Sequence, residues 1–534
     1  VWEDITDRLR AFTIDRGRSS ELDRAEAGVA TFDLDNFEGD FDPSNIDGPY
    51  FPGLKPMRRI RIQAVIPETF ASFYIGSSFV GGSDVLGTSV AFIGLFSGFV
   101  EDWGQTWNPM PAPHPDSVAT VRAVDAFKVL LSARGVTPMP SFNPGSAVNE
   151  ILDHMGWPAD ERNIELTGGY IVDVAGGSLA VILPAIQAID ASEGGLFFAA
   201  RDGRLTFFTH SHVQAFPPSA EDIWGDALDE RQYQSITLSY EDSVIWNEVV
   251  VTSAAGSVQV SDLVSQDHYL WQRTELSTDL ASLTEMTARA QDHLSRFSTP
   301  RQRIVGLEVG VRDDVEWPSI LNHDLLDRII VKRRPLGTEP GIVQDSVIQR
   351  ISIRSPSRKQ WSVVWALSAT PRSNLLTPNQ SSLETDTSGW VAVTNCTIAR
   401  STTTPPQGVG TLTMTAVGAG DMSASTTPNT QLVVTPGAVY SAMAAFYKQA
   451  GGRNCHVEIV WRDSGGSILS TSTGNVESDA DNIVQSAVSA IAPVSAAFAT
   501  VLVVVASATA GEVHRVDMVG FVDGEQTGWS PGQG

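Results

Sequence analysis

Strict alternation of apolar and polar side chains constrains the first part of this 534-residue chain more than any other feature. Gly28, Ala30, Phe32 and Leu34 fall on one side of an extended segment, and Thr31, Asp33 and Asp35 on the other. A period of two sends successive side chains to opposite faces, so the pattern predicts a half-buried antiparallel strand rather than a helix. Asn36 to Gly39 supplies turn chemistry and leads into a long loop. The same period returns where Ile60, Ile62 and Ala64 alternate with Arg59, Arg61 and Gln63. Leu95 to Trp103 and Val118 to Val124 read as further strands, completing an all-β unit over residues 1–124. Between them, the Gly-, Ser- and Phe-rich stretch from Glu68 to Phe92 reads as a long hairpin or loop insertion, apolar enough to touch another subunit.

From Asp125 the period changes to 3.6, and residues 125–234 read as an α+β unit. Asp125 is placed to cap a helix over Ala126 to Arg134, with Gly135 as its stop. A second helix fits Ala147 to Met155. A third follows Ser178, where Leu179, Ile182, Leu183, Ile186 and Ile189 make a stripe; Pro184 inside it, at about 3 kcal/mol for an interior proline, predicts a kink or two shorter helices. Leu196 to Ala200 and Leu205 to Thr209 flank Asp202-Gly203, which suits a type I′ hairpin. Residues 235–370 form a second β-rich region with one helix, whose face is Leu280, Leu283, Met286, Ala290, Leu294 and Phe297, capped by Ser277 or Thr278. Beyond, residues 371–534 are dense in Ser, Thr, Ala and Val. Val457, Ile459 and Trp461 alternate there with Glu458, Val460 and Arg462, the signature of a β-sandwich. The fold class is therefore mainly β with an α+β insert.

Bulk properties narrow the function. At about 150 residues per domain the length predicts roughly three or four domains. A formal charge of −26 argues against wrapping nucleic acid, which requires phosphates to be neutralised, although a polyanion can slide past an acidic wall. Two cysteines, Cys396 and Cys455, exclude a disulfide scaffold and a zinc module of the usual spacing, and buried free thiols are the favoured state. No apolar run approaches the about 18 residues of a membrane span, so no stable membrane insertion is expected.

Nor does any motif ask to be read as a catalytic centre. Arg16-Gly17-Arg18 lacks the glycine-rich helix entrance of a phosphate cradle and reads as a turn whose arginines pair with acidic groups. His210 and His212 share a face of an extended segment, but no third metal ligand stands at a recognisable spacing. Asp313-Asp314 and Glu221-Asp222 are adjacent pairs, which point to opposite faces of a strand and cannot oppose one another across a glycosidic bond. Gly-x-Ser-x-Gly and His-Glu-x-x-His are absent, and no catalytic residue is assigned.

The order Arg16-Gly17-Arg18-Ser19-Ser20-Glu21-Leu22-Asp23, Ala27 to Asn36, Gly39-Asp40-Phe41-Asp42-Pro43 and Pro49-Tyr50-Phe51-Pro52-Gly53-Leu54-Lys55-Pro56 resembles the opening of the minor tail proteins that form the baseplate hub of long, non-contractile bacteriophage tails. Asp153 to Pro158, Glu193 to Phe197 and Asp202 to Leu205 look like further landmarks of that family. The resemblance covers residues 1–369. It implies a homotrimer with two hub-type β-barrel domains per chain, 1–124 and 235–370, lining the tail axis, and a helix-containing domain between them. Such a trimer presents six lobes and joins a sixfold tube to a threefold tip. Its implied partners are the distal tail protein, the tape-measure protein and other tail-tip proteins, with DNA passing through the channel. Its location is the distal tip of the virion, assembled in the host cytoplasm. Asp33, Asp35, Glu101 and Asp102 are candidates for an acidic lumen, although solvation of outer strand faces is the favoured reading.

Asn374-Leu375-Leu376, Ser382-Leu383-Glu384 and Gly389-Trp390, closing on Val516 to Phe521, resemble jelly-roll carbohydrate-binding modules. That resemblance implies contact with host-surface glycans. Tyr447, Trp461 and Trp390 are the candidate sugar contacts, with core packing favoured for Trp461 by alternation. Glu384 and Asp517 match positions that hold a structural calcium, and no other cofactor is implied. Two rival readings are a secreted carbohydrate-active enzyme with an appended binding module and the hexameric distal tail ring protein.

Overall fold

The computed structural model describes residues 2–67, 90–108, 116–166, 169–210, 212, 223–227, 230–240, 244–298, 303–310, 317–334, 342–357, 360–370, 374–383, 385–403, 410–448, 452–480 and 483–523. It is mainly β, and its contacts divide it into two compact units. The first comprises Val1–Ser239, Asp279–Ala281 and Gln302–Thr370, and the second Tyr240–Thr278, Ser282–Arg301 and Pro371–Gly534.

In the first unit, strand β1 (Leu9–Gly17) pairs antiparallel with β2 (Glu26–Asp35), setting Phe12 opposite Phe32 and Ile14 opposite Ala30. Gly28, Ala30, Phe32 and Leu34 are buried, as the alternation predicts. The ladder continues from β2 to β5 (Asp116–Val124), to β4 (Val90–Asn108) and to β3 (Arg59–Pro67). The other edge of β1 pairs with Ile342–Ser357. That strand has 16 residues, about 50 Å at the usual rise. It is long enough to pair with Arg328–Arg333 along its first part and with β1 along its second. Its opposite edge takes Gln360–Ala369, which pairs onward with Arg303–Val309 and so with Ser235–Ser239. Strands of both β-rich regions thus join one twelve-stranded sheet. Among the described residues neither of the two barrels implied by the hub resemblance closes into a ring: β3 pairs with β4 alone, Arg231–Gln232 with Ile223–Gly225 alone and Ser235–Ser239 with Arg303–Val309 alone.

The α+β part carries helices α1 (Phe127–Ser132), α2 (Pro144–His154) and α3 (Ile182–Glu193). Asn143 caps α2 by accepting the Gly145 N–H at 3.1 Å, with Pro144 as the first helical residue. Pro184 neither kinks nor splits α3. It lies in the first turn, where its missing N–H has no acceptor within the helix. Leu179, expected on the helical stripe, belongs to a preceding strand and is 85% exposed. The hairpin Leu196–Ala199 and Leu205–Phe208 forms, but only Gly203 in its connection has positive φ (93°), so the turn is wider than a type I′ turn, which needs two such residues.

In the second unit, Glu248–Ser253 lies between Gly256–Ser261, antiparallel, and Arg273–Ser277, parallel. The helix Leu283–Phe297 covers this three-stranded sheet with Met286, Ala290, Leu294 and Phe297. Its cap is Ser282, which accepts the Glu285 N–H at 3.2 Å; Ser277 and Thr278 cannot cap it, since the strand Arg273–Ser277 is still ending there. Residues 390–523 form a seven-stranded and a five-stranded antiparallel sheet sharing one core, in which Leu412, Met414, Phe446 and Phe521 of one sheet meet Trp461, Val501 and Val503 of the other. Cys396 and Cys455 are both free thiols, and burial raises the pKa of the Cys455 thiol.

His293 on the helix Leu283–Phe297 is buried beside Phe297, and burial drives its pKa down to about 3. The folded chain keeps it neutral, whereas the unfolded chain takes up a proton near pH 6.5. Its contribution to stability is therefore full above pH 6.5 and is lost as the pH falls toward 3. Over the first two pH units of that fall the loss should be on the order of 2 kcal/mol. Urea unfolding of the full chain at pH 7 and pH 4.5 should show His293→Leu losing less stability on acidification than the parent. An equal loss in both would contradict the assignment.

Candidate functional site

The open edge of the first unit is its most distinctive surface. β3 curves to face the start of β1, leaving a groove of about 470 Å³ lined by Phe12, Leu34, Ile62, Trp317, Leu321 and Trp361, among others. β1 gives Leu9, Arg10 and Phe12 to this wall and β2 gives Phe32 and Leu34, and the aromatic rings interlock. Trp361 meets Phe12 edge-on at 5.1 Å between ring centroids and Trp317 at 5.4 Å. Val65, which also lines the groove, stands opposite Phe92 across β3 and β4, and both are exposed. An unpaired edge with apolar neighbours is a surface that other chains recognise.

Behind that sheet, Arg16-Gly17-Arg18 locks distant segments together. Arg16 is buried; its guanidinium donates to Asp324 Oδ1 at 2.9 Å and to the Ala199 carbonyl at 3.3 Å. Arg18 donates to Gln349 Oε1 at 2.6 Å and to the Gly195 carbonyl at 3.4 Å. Gly17 has φ +108°, and a Cβ there would come within 2.2 Å of the Gln349 carbonyl oxygen, so only glycine lets β1 approach this closely. The motif is a structural clamp, with one arginine on a carboxylate and the other on an amide and carbonyls. Burial raises the Asp125 carboxyl to about 7, against the backbone N–H groups of Phe127 and Gly28 and the charge of Arg16. Burial likewise raises Asp190 to about 6, against Arg18.

A second hollow of about 460 Å³ is polar, with Arg59, Arg61, Arg201 and Arg204 in its lining. Two of these four arginines meet carboxylates locally: Arg59 forks onto Glu161 at 2.6 and 2.9 Å, and Arg204 donates to Asp202 at 2.7 Å. Three of the four proposed lumen carboxylates are similarly engaged. Asp33 accepts from Thr120, Asp35 from Arg10, and Glu101 pairs with Arg122 and Lys128.

His210 and His212 do not converge on one ion. His210 Nδ1 meets the buried Glu193 carboxylate at 2.5 Å and its ring stacks on Tyr170, whereas His212 stacks on Phe208 with Glu165 at 3.7 Å. Burial lowers the His212 pKa, with Glu165 opposing. Among the described residues no group of three or more His, Cys, Asp or Glu could hold a metal ion. Asp313-Asp314, Glu221-Asp222 and Glu384 lie outside the described residues. Asp517, the other expected calcium ligand, is buried, and its carboxylate accepts the Met518 N–H at 2.8 Å.

Of the expected sugar contacts, Trp461 is buried in the sandwich core with its indole N–H on Ser472 Oγ at 2.9 Å. Trp390 is also buried and donates to the Gln380 carbonyl at 2.9 Å. Neither ring offers a face to a ligand. Tyr447 is half-buried, with the Arg515 guanidinium 5.4 Å from its ring centre. The exposed Tyr240 and the run Tyr269-Leu270-Trp271 escaped the sequence reading; their signal was three large apolar residues continuing past the end of a polar helical stretch.

No protein-family model matches the chain, and no curated protein matches it. Among solved structures it is similar to the 43 kDa tail protein of prophage MuSo2 from Shewanella oneidensis, at 10% identity, covering 68% of this chain and 94% of that one, with a TM-score of 0.39. The tail protein of Neisseria meningitidis MC58 is similar at 12% identity over 67% of this chain and 91% of that one, TM-score 0.40. The C-terminal family 22 carbohydrate-binding module of Clostridium thermocellum Xyn10B is similar at 18% identity over 27% of this chain and 90% of that one, TM-score 0.24.

The clamp yields a direct test. Arg16→Met should destabilise the chain by about 3 kcal/mol in urea unfolding, because Asp324 is left without its cation. Arg16→Lys should restore only part of the loss, since one ammonium cannot span Asp324 and Ala199 as the guanidinium does. A loss under about 0.5 kcal/mol, the scale of an ordinary surface change, would contradict the clamp.

Proposed function

We propose that this chain is a structural protein of a long, non-contractile bacteriophage tail and serves as its tip hub. Three copies surround the tail axis, each giving two β-rich lobes, built from 1–124 and 235–370, with 125–234 outside them and 371–534 as a terminal jelly roll. Six lobes from three chains match a sixfold tube above and a threefold tip below. The observation that supports this best is the shared sheet: both β-rich regions are tied through Ile342–Ser357, and among the described residues the sheet ends in a strand paired on one side, beside an apolar groove. That is the construction of a chain folded to pack against others. The hub would meet the distal tail protein, the tape-measure protein and other tip proteins, at the distal end of the virion.

Within such a ring the net charge of −26 favours passage of DNA without adhesion. The role is structural rather than enzymatic. Glycan contact by the jelly roll is proposed from the resemblance of 374–390 and 516–521 to carbohydrate-binding modules, and its ligand face lies elsewhere than on Trp390 and Trp461.

Quantitative mass spectrometry of purified virions should give three copies of this chain per tail. One copy, six copies or absence from virions would contradict the hub. The calcium proposed at Glu384 and Asp517 predicts that a chelator lowers the melting temperature of the sandwich; an unchanged melting temperature would remove the ion.

A further inference from the structure

The arginine-lined hollow beside β3 gathers like charge in a chain that is acidic overall. Arg59, Arg61, Arg201 and Arg204 share its lining with three carboxylates, Asp160, Glu161 and Asp202, so the hollow is net cationic although the chain carries −26. Guanidinium groups brought together repel one another unless anions answer them. Glu161 answers Arg59 and Asp202 answers Arg204. Among the described residues no carboxylate pairs with the guanidinium of Arg61 or Arg201: the first lies over the Trp2 ring, and the second donates to the Leu321 carbonyl at 2.7 Å.

The hollow is assembled from two directions. Pairing of β3 with β4 sets Arg59 opposite Phe99 and Arg61 opposite Ser97, and residues directly opposite in a ladder share a face. The hairpin tip that carries Arg201 and Arg204 closes on that face through Gly203, where a Cβ would come within 2.6 Å of Ser97 Oγ. Aromatic rings then hold two of the cations. The Arg61 guanidinium is 4.5 Å from the centre of the Trp2 ring, and that of Arg59 is 5.6 Å from the centre of Phe99. A guanidinium held against a ring keeps its in-plane N–H groups for a planar or tetrahedral oxyanion. Arg59 has its N–H groups on Glu161; those of Arg61 are left for a ligand. With about 460 Å³, the hollow falls in the size range of clefts that take small organic molecules, so the oxyanion can carry a body the size of a sugar.

We propose that this hollow binds a small organic oxyanion, a phosphate or carboxylate on a sugar-sized body, with Arg61 as its principal partner and Arg201 and Arg204 beside it. Glu161 competes with the ligand for Arg59. The site lies within the first unit and does not depend on the hub reading.

The test is titration calorimetry of the full chain with three probes that share one type of ring: glucose 6-phosphate, glucuronate and glucose. At millimolar concentration one or both of the anions should bind, and glucose should bind about tenfold more weakly or not at all. Binding of the phosphate alone assigns a phosphate ligand and binding of the uronate alone a carboxylate; either supports the site. Arg61→Gln, on an exposed strand position, should weaken the anion about tenfold. Glu161→Gln should tighten it about threefold by freeing Arg59, a gain that a misfolded variant could not show. No binding of either anion by the parent, glucose binding as tightly as the anions, or an affinity that neither substitution moves would each overturn the proposal.

Discussion

The first unit depends on one strand having more partners than a strand usually serves. Ile342–Ser357 takes Arg328–Arg333 and β1 in succession along one edge and Gln360–Ala369 along the other. Residues near the start of the chain are thereby hydrogen-bonded to residues more than 300 positions later. The cost of closing so long a loop grows only as the logarithm of its length, so a ladder with well-packed side chains can offset it. At the junction, Gly17 permits the close approach and Arg16 and Arg18 tie in Asp324, Gln349 and the hairpin after α3. A buried guanidinium is tolerable only with several acceptors, and these arginines have them.

That junction also explains why carboxylates unusual for their burial sit nearby. Asp125 and Asp190 are nearly inaccessible and burial raises their pKa values, against the charge of Arg16 at Asp125 and of Arg18 at Asp190. Asp125 spends its oxygens on Gly28 and Phe127, joining β2 to α1. These are ties between layers of one unit, and their geometry surrounds no open cavity. Two hollows of the unit lie along β3, one apolar and one lined by several arginines. The architecture spends its polar chemistry on holding strands together and leaves its apolar surface at the edge, where another chain can reach it.

Much of this was legible in the sequence wherever a period persisted. The alternation over Gly28 to Asp35 located β2 and its buried face, and the stripe from Leu280 to Phe297 located a helix whose core side is Met286, Ala290, Leu294 and Phe297, although Leu280 precedes the helix and Leu283 is exposed. Signals that depend on tertiary context were not legible. Pro184 reads as a helix breaker until the true start at Ile182 puts it in the first turn. Asp202-Gly203 reads as a type I′ turn until the pairing of Ala199 with Leu205 leaves a longer connection. Trp390, a candidate sugar contact at a position that such modules often bury, lies in the core with its N–H on the Gln380 carbonyl. The run Tyr269-Leu270-Trp271 stands out as three large apolar residues, but its exposure was not legible, because nothing in a linear pattern reveals a buried Asn247 holding Leu270 at positive φ.

The central claim is that the first unit is built to be packed, copy against copy, around a bore. A cryo-EM reconstruction of the intact tail tip tests it most directly. The account predicts three copies about the axis, with the sheet containing Ile342–Ser357 forming part of the wall of the channel. A chain found singly on the outside of the tail, with that sheet away from the axis, would contradict it.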